Sequence, residues 1–287
     1  MRLESLLQVL NERQRRTFRL KTRYQQGEQG AYALVDAAGD AFVLKWYATR
    51  DRLVQVLARR ELLERLRSAG YPVPVYEVWG ETDEGAYLIQ RALPGAPSAT
   101  LTEAQLLRLL ELNTLQVGRA PEGARDWPRE VVQTVLFGGQ GYCEHASLLH
   151  HSEETAALLR QLQRLVRQHQ DAISTPVKND IVHFDFHPAN ILLHEGEISG
   201  VIDWDGACIG DAAFDLVTLF FFLYEDERLR ALLWRVLLER SSVPALSVYV
   251  AHMILRQVDW SIRFYDRLTV ERFLHRGYAI LSTLTYT

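Results

Sequence analysis

A chain of 287 residues, 48% of them apolar, is long enough for one large domain or two lobes around a substantial core. Its formal net charge of -4 offers no global attraction for nucleic acid or an anionic membrane, so neither is an expected partner. The two cysteines, Cys143 and Cys208, stand far apart without metal-ligand spacing, which suits a reducing compartment and makes the cytoplasm the expected location.

Residues 1–18 have the pattern of a charged amphipathic helix and lack the long apolar run of a signal peptide or membrane anchor. Residues 17–26 read as a strand, and "AYALVDAAGDAFVLKWY" as two alternating runs around an Ala38-Gly39-Asp40 turn, a hairpin. Over residues 49–69, Leu53, Leu57, Leu62, Leu63 and Leu66 recur at helical spacing until Gly70, Pro72 and Pro74 end the element. "VYEVWG" and "AYLIQRA" are two further strands around "ETDEG". The pattern breaks at the Pro/Gly stretch 93–98. Helices follow over 103–116, 153–173, 214–224, 228–239 and, in two pieces, 245–283, with the β-prone residues 181–203 inside this helical half. The longest apolar run, "AFDLVTLFFFLY", is shorter than the roughly 20 residues a membrane span needs and reads as a core helix. The expected architecture is α+β and bilobal: a small antiparallel β lobe with one inserted helix over 1–92, a connector over 93–98, and a large, mainly helical lobe over 99–287.

The stretch "IVHFDFHPANILLHEGEISGVIDWDGACIGD", residues 181–211, carries the chemistry. His183, Asp185, His187, Asn190, Asp203 and Asp205 sit at the ends of apolar runs. A charge left unpaired out of water costs on the order of several kcal/mol, so these residues read as a site. Phosphoryl transfer needs a group that takes or orients the proton of an attacking hydroxyl, ligands for a divalent cation, and charge neutralisation. Asp185 on a loop can face the hydroxyl, and Asn190 with Asp203 from the neighbouring hairpin offers hard oxygens to Mg²⁺. The competing reading is a hairpin whose polar residues form turns and Asx caps.

Lys45 ends the apolar alternation of "AFVLKWY"; by itself such a lysine commonly just snorkels to solvent. Glu61 lies four residues after Leu57 and seven after Val54, so a continuous helix would bring it onto their stripe, where it wants a cation. Lys45 is the cation the preceding strand presents, and the pair would hold the ammonium for nucleotide phosphates; Glu64 is the competing carboxylate. Gly27 and Gly30 permit a tight turn in which backbone N–H groups approach phosphate oxygens. Asp211 suits the N-cap of the helix carrying Phe214, and Asp215 is placed to brace the loop by accepting backbone hydrogen bonds. His145, His150 and His151 lack partners at ligand spacing and flank a surface helix rather than a zinc site. Trp234, Trp260, Phe264 and Tyr265 have the spacing of helix faces, with Trp260 also suited to an acceptor cleft.

The segments "HFDFHPANILL", "GVIDWDGACIGDAAFDLVTL", "YLIQRALPGAPS" and "RRELLERLRSAGYPVP" together resemble the aminoglycoside phosphotransferase and choline kinase superfamily of protein-kinase-like fold. The resemblance covers nearly the whole chain. It implies Asp185 as catalytic base, Asn190 and Asp203 as magnesium ligands, Lys45 as the phosphate lysine with Glu61 as its partner, and His183 as a loop brace. It further implies that the backbones of Arg91 and Leu93 hold the adenine, with Gln90 at the back of the pocket, and that the cofactors are ATP, or alternatively GTP, and Mg²⁺. Two departures stand out: Phe184 replaces a glycine common in the family, and Gly27 with Gly30 forms an abbreviated phosphate loop.

Acidic residues near the expected acceptor position are Asp205, Glu225, Asp226, Asp259 and Asp266, which together would attract a cationic acceptor; a solvated helix end explains the "YEDER" run equally well. The function expected on this basis is an ATP-dependent kinase placing phosphate on a hydroxyl of a small cationic antibiotic, an aminoglycoside or basic peptide. The alternatives are a metabolic kinase of choline, homoserine or sugar type, and a nucleotide-binding pseudokinase module, against which Lys45, Asp185, Asn190 and Asp203 together argue. Monomer and homodimer are both open.

Overall fold

The protein is described by a computed structural model covering residues 3–24, 31–121, 127–139, 141–174 and 178–285. In chain order the elements are helix α1 (Leu3–Gln14), strands β1 (Arg19–Arg23), β2 (Ala31–Val35) and β3 (Ala41–Tyr47), helices α2 (Arg50–Leu57) and α3 (Arg60–Ser68), and strands β4 (Tyr76–Thr82), β5 (Gly85–Arg91) and β6 (Ala96–Pro97). Then come α4 (Glu103–Thr114), α5 (Trp127–Phe137), α6 (His145–His151), α7 (Glu153–His169), β7 (Asp180–Val182), β8 (Ile191–His194), β9 (Glu197–Val201) and β10 (Cys208–Gly210). Four helices complete the chain: α8 (Ala213–Phe222), α9 (Glu227–Arg240), α10 (Val243–Phe264) and α11 (Arg267–Thr285). No described helix is long and apolar enough to cross a membrane, and both cysteines are buried thiols outside any disulfide.

The contacts divide the chain into two compact units, Met1–Ser98 with Asn190–Gly206, and Ala99–Ala189 with Ala207–Thr287. The first therefore recovers residues 190–206, which the sequence pattern alone leaves in the helical half. The reason is pairing. β6, from the Pro/Gly connector, lies antiparallel to β8, with Ala96 opposite Leu193, and Val201 N–H donates to Pro72 O at 2.9 Å. Gly95 has φ +100°, and a Cβ there would collide with the Leu193 carbonyl, so the tight approach of these two segments requires glycine.

The main sheet of this unit is antiparallel, in the order β1-β2-β3-β5-β4. The β2–β3 turn is closed by Asp36, whose Oδ1 accepts from Ala38 N–H at 2.9 Å and Asp40 N–H at 3.0 Å, an Asx turn. One face of the sheet packs Leu34, Phe42, Leu44, Tyr87 and Ile89 against Leu6, Leu7 and Leu10 of α1 and against Phe18. The single helix expected over residues 49–69 is two helices, broken at Ala58–Arg59, where Arg59 N–H bonds back to Val56 O. Leu53 and Val56 are the buried residues of α2, and Leu62, Leu63 and Leu66 are those of α3.

The second unit is mostly helix. α10 is buried along nearly its whole length, as an all-round apolar helix must be, and α8 is likewise buried from Ala213 to Phe221. α5 and α6 were not foreseen; α5 opens with Trp127 and Pro128 and buries Val131, Thr134 and Val135 at helical spacing. One polar side chain in this core is costly. His252 of α10 is 1% exposed and lies among the rings of Phe214 at 5.2 Å, Phe184 at 5.8 Å and Tyr142 at 6.3 Å. Burial first, and then the nearby Arg256 charge, lower its pKa to about 3.

A folded-state pKa below the unfolded one means that the unfolded chain binds the extra proton between pH 6.5 and 3, so this contribution to stability is present above pH 6.5 and lost as pH falls. His252→Leu should flatten the dependence of melting temperature on pH in that window, where the histidine costs up to about 1.4 kcal/mol per pH unit. Parallel wild-type and variant curves between pH 6.5 and 4 would rule the histidine out as the source.

Candidate active site

Within the first unit the site is built on β3, the central strand of the sheet. Lys45 pairs with Ala31 on one side and Leu88 on the other. Its Nζ lies 2.7 Å from Asp203 Oδ1 and 2.7 Å from Asp205 Oδ1. Tyr47, two residues on and on the same face, donates its hydroxyl to Asp205 Oδ2 at 3.1 Å. Burial alone would lower the Lys45 pKa, but the two carboxylates raise it well above the ordinary lysine range. The ammonium is therefore a permanent charge.

The two carboxylates flank Trp204, which anchors them. Its Nε1 donates to Val201 O at 2.9 Å, its ring meets Tyr71 edge-on at 5.5 Å, and it is 1% exposed. Asp203 takes a left-handed backbone, φ 65°, a conformation aspartate tolerates better than bulkier residues. Asn190 belongs to the same unit: Ile202 N–H donates to Asn190 O at 2.9 Å, so the segments carrying Asn190 and Asp203 are neighbours. Two hard oxygen donors at the adjoining ends of the paired strands β8 and β9 suit a divalent cation that completes its coordination with water and phosphate oxygens. Among the described residues no group of three or more His, Cys, Asp or Glu side chains could hold a metal.

Glu61 is not the partner of Lys45. It pairs with Arg65 at 2.8 Å and is 59% exposed, while Glu64 pairs with Arg60 at 2.9 Å. The stripe used to place it, Val54 and Leu57, is not the buried one: Val54 is 56% exposed, and Glu61 shares the outward side. Asp205, expected near the acceptor, holds Lys45 instead. Gln90 is buried on β5 opposite Val43 and Tyr76. Arg91 spends its backbone N–H on Val75 O at 2.9 Å and its side chain on Glu77 and Asp40, leaving its carbonyl as the group that could meet an adenine. Leu93 packs against Gly200. Gly27 and Gly30 lie outside the described residues.

In the second unit β7, held by β10 through Cys208 opposite Val182, delivers the loop that begins at His183. Asp215 of α8 is completely buried and accepts from His183 N–H at 2.8 Å, Phe184 N–H at 2.9 Å and Gln116 Nε2 at 2.6 Å. Burial pushes its carboxyl up to about 7, opposed by these three donors. His183 accepts the Asp185 N–H at Nδ1, 3.2 Å away. Asp211 accepts from Ala213 N–H at 2.9 Å and from the Tyr249 hydroxyl at 3.1 Å; it stands one residue before the N-cap of α8, which is Ala212, and so forms an Asx turn at the helix start rather than the cap itself.

Phe184 adopts φ 75°, the left-handed region in which glycine is at ease; for an aromatic residue this costs about 1–2 kcal/mol. Its ring is stacked on Phe214 at 5.4 Å and met edge-on by Trp127 at 6.3 Å and Tyr142 at 6.1 Å, packing that offsets the strain. Asp185 itself is one-third exposed. Its Oδ1 lies 2.7 Å from Nη2 of Arg256, and its Oδ2 is 3.4 Å from His187 Nε2. Burial alone would raise its pKa, but Arg256 foremost, then His187 and His183, hold the carboxyl well below the usual carboxylate range. Arg256 was missed by the sequence reading. A signal existed: His252, Arg256, Asp259 and Arg263 recur at helical spacing on an otherwise apolar helix, and buried polar groups at that spacing need partners.

The acidic residues expected to line an acceptor pocket are engaged elsewhere. Asp259 is fully buried, bonded to Arg263 at 2.8 Å and Ser147 at 2.6 Å. Glu225 pairs with Arg276. Asp226 caps α9, accepting from Arg228 and Leu229 N–H at 3.0 Å each, and Asp266 accepts from Thr269 N–H at 2.8 Å. Trp260 is half-buried against Phe264 at 4.2 Å, with Arg263 over its ring.

A chain that joins a five-stranded antiparallel sheet, whose central lysine meets a loop aspartate, to a mostly helical unit with an aspartate on a braced loop has the elements of the protein-kinase-like class of fold. The phosphotransferase enzyme family matches residues 22–245, and the chain belongs to that family. Among curated relatives, the hygromycin-B 4-O-kinase of Escherichia coli is 24% identical over 218 residues, covering 69% of this chain and 60% of that protein. A thermostable mutant of an aminoglycoside phosphotransferase, solved in ternary complex with ADP and hygromycin B, superposes with TM-score 0.74 at 19% identity, over 97% of this chain and 98% of its own. A macrolide 2'-phosphotransferase from Brachybacterium faecium superposes with TM-score 0.63 at 18% identity, over 96% and 97%.

Asp205→Ala should lower stability to denaturant by about 1–3 kcal/mol, because it strips charge-assisted bonds from Lys45 and Tyr47, whereas Glu61→Ala should change it by no more than about 0.5 kcal/mol. Equal losses for the two variants would contradict the pairing described.

Proposed function

We propose that the chain is an ATP-dependent phosphotransferase acting on a hydroxyl of a small antibiotic. The observation that carries this reading is the 2.7 Å pairing of Lys45 with Asp203, residues 158 positions apart in sequence, whose types are those that hold nucleotide phosphates and a divalent cation in phosphoryl transfer. A permanently charged Lys45 would neutralise phosphate oxygens, with Asp205 and Tyr47 keeping it in place. Asn190 and Asp203 would hold Mg²⁺, which would supply charge neutralisation at the phosphates. Asp185, kept ionised, would accept the proton of the acceptor hydroxyl. The acceptor oxygen bonds to the γ-phosphorus as the bond to the β,γ-bridging oxygen breaks, and the nucleoside diphosphate leaves. ATP fits as donor, and the Arg91 carbonyl is the adenine contact; GTP is the alternative.

For the acceptor, the similarity to the hygromycin kinase favours an antibiotic alcohol. The engagement of Glu225, Asp226 and Asp266 in an ion pair and in caps, and the burial of Asp259 against Arg263 and Ser147, favour a second reading, a less cationic acceptor such as a metabolic alcohol or sugar. The two separate by experiment. Expression in a susceptible bacterium should raise tolerance to hygromycin B or a related aminoglycoside, and purified protein with ATP and Mg²⁺ should add one phosphate to the drug. Full susceptibility together with transfer to choline, homoserine or a sugar would establish the second reading.

Asp185→Asn should abolish transfer, and Asp203→Ala should lower kcat by about 100-fold or more with the melting temperature nearly unchanged. Full turnover in either variant at saturating Mg²⁺ would overturn the assignment.

A further inference from the structure

Arg256 is the charged group in direct contact with Asp185 that no role described so far explains. It rises from α10, 14% exposed at its side chain. Nη1 donates to the carbonyl of Phe184 and Nη2 to Asp185 Oδ1, the latter at 2.7 Å. The guanidinium carbon sits 4.5 Å from the centre of the Phe184 ring. One planar fork thus grips three parts of two consecutive residues: the strained peptide, its aromatic ring and the next carboxylate. A lysine, a point charge without the fork, could not make all three contacts.

The contacts have a directional consequence. Arg256 on Oδ1 and His187 Nε2, 3.4 Å from Oδ2, together set the orientation of the carboxylate. The loop is gripped from both ends: Asp215 holds the N–H groups of His183 and Phe184, and Arg256 holds the carbonyl of Phe184. Where a glycine would take the left-handed turn without cost, Phe184 takes it with a ring that the guanidinium covers.

We propose that Arg256 is the positioning residue of the phosphoryl-transfer site, a fork that fixes the Asp185 carboxylate through Oδ1 and turns Oδ2 to the acceptor hydroxyl. This rests on the kinase reading of Asp185. The groups around that carboxylate are His183 and His187 of its own loop, Asp215 of α8, and Arg256 and His252 of α10. Only Arg256 among them pairs with Oδ1 as a fixed charge.

The test compares Arg256→Met, Arg256→Lys and Arg256→Ala in steady-state phosphotransfer, with Asp185→Asn as reference. Misplacement of a reacting group by about 1 Å costs about 100-fold, so Arg256→Met should lower kcat by about that factor with KM for ATP unchanged. The acid limb of its pH profile should move upward, toward the ordinary carboxylate range. Arg256→Lys should recover kcat only in part, and added guanidinium should restore Arg256→Ala at concentrations that leave wild type unaffected. Wild-type kcat and an unmoved acid limb in Arg256→Met would overturn the proposal. If Arg256→Met does not fold, wild-type kcat and pH profile in Arg256→Lys would overturn it equally, because the fork is then dispensable. Retained transfer in Asp185→Asn would instead remove the kinase reading, whatever the Arg256 variants do.

Discussion

Asp215 is a carboxyl group without access to water, and the geometry of the loop that carries Asp185 depends on it. An anion buried so completely persists only if donors replace its hydration. Here those donors are the backbone N–H groups of the two residues preceding Asp185, together with the Gln116 amide, which also reaches Ile181 O at 2.8 Å. The constraint acts in both directions. The buried carboxylate needs the loop to supply donors, and the loop needs the carboxylate to turn consecutive N–H groups to one point. The left-handed backbone at Phe184 is the conformation that the demand imposes.

The same logic recurs in the first unit with the sign reversed. Lys45 is a cation on a sheet face, and two aspartates from one Asp-Trp-Asp turn answer it. Trp204 makes the arrangement rigid, since its buried ring fixes the turn from which both carboxylates project. Asp203 is half exposed whereas Asp205 is 12% exposed. The two are chemically alike but differently placed: Asp205 is committed to Lys45 and Tyr47, and Asp203 retains the solvent access a metal ligand needs. One sequence motif thereby yields one buried and one solvent-accessible carboxylate.

Much of this was legible in the sequence, and the exceptions have physical causes. Polar residues interrupting β-prone runs marked residues 181–211, because a charge at the end of a buried strand needs a partner wherever the chain goes. The hairpin around Gly39 and the helix stop at Gly70 and Pro72 were readable from local chemistry. Partnerships were not. Glu61 was assigned from the stripe of Val54 and Leu57, but the buried face of α2 is the one that carries Leu53 and Val56, and Val54 points outward. The acidic residues of "YEDER" and Asp259 looked available because composition does not reveal which charges a fold consumes in caps and ion pairs. Arg256 escaped notice although a charge in the apolar run of α10 is the same signal that marked the catalytic loop. Residues 190–206 group with the sheet unit through pairing with the connector, a long-range event with no local signature.

The dependence of the loop on Asp215 is tested most directly by amide hydrogen exchange at His183 and Phe184, in the wild type and in Asp215→Asn. In the wild type both amides should exchange as slowly as those of the adjoining strand, Asp180–Val182; in the variant, which trades one acceptor oxygen for a donor, both should exchange far faster while the strand stays protected. Equal protection of His183 and Phe184 in the two proteins would mean that the buried carboxylate does not hold the loop.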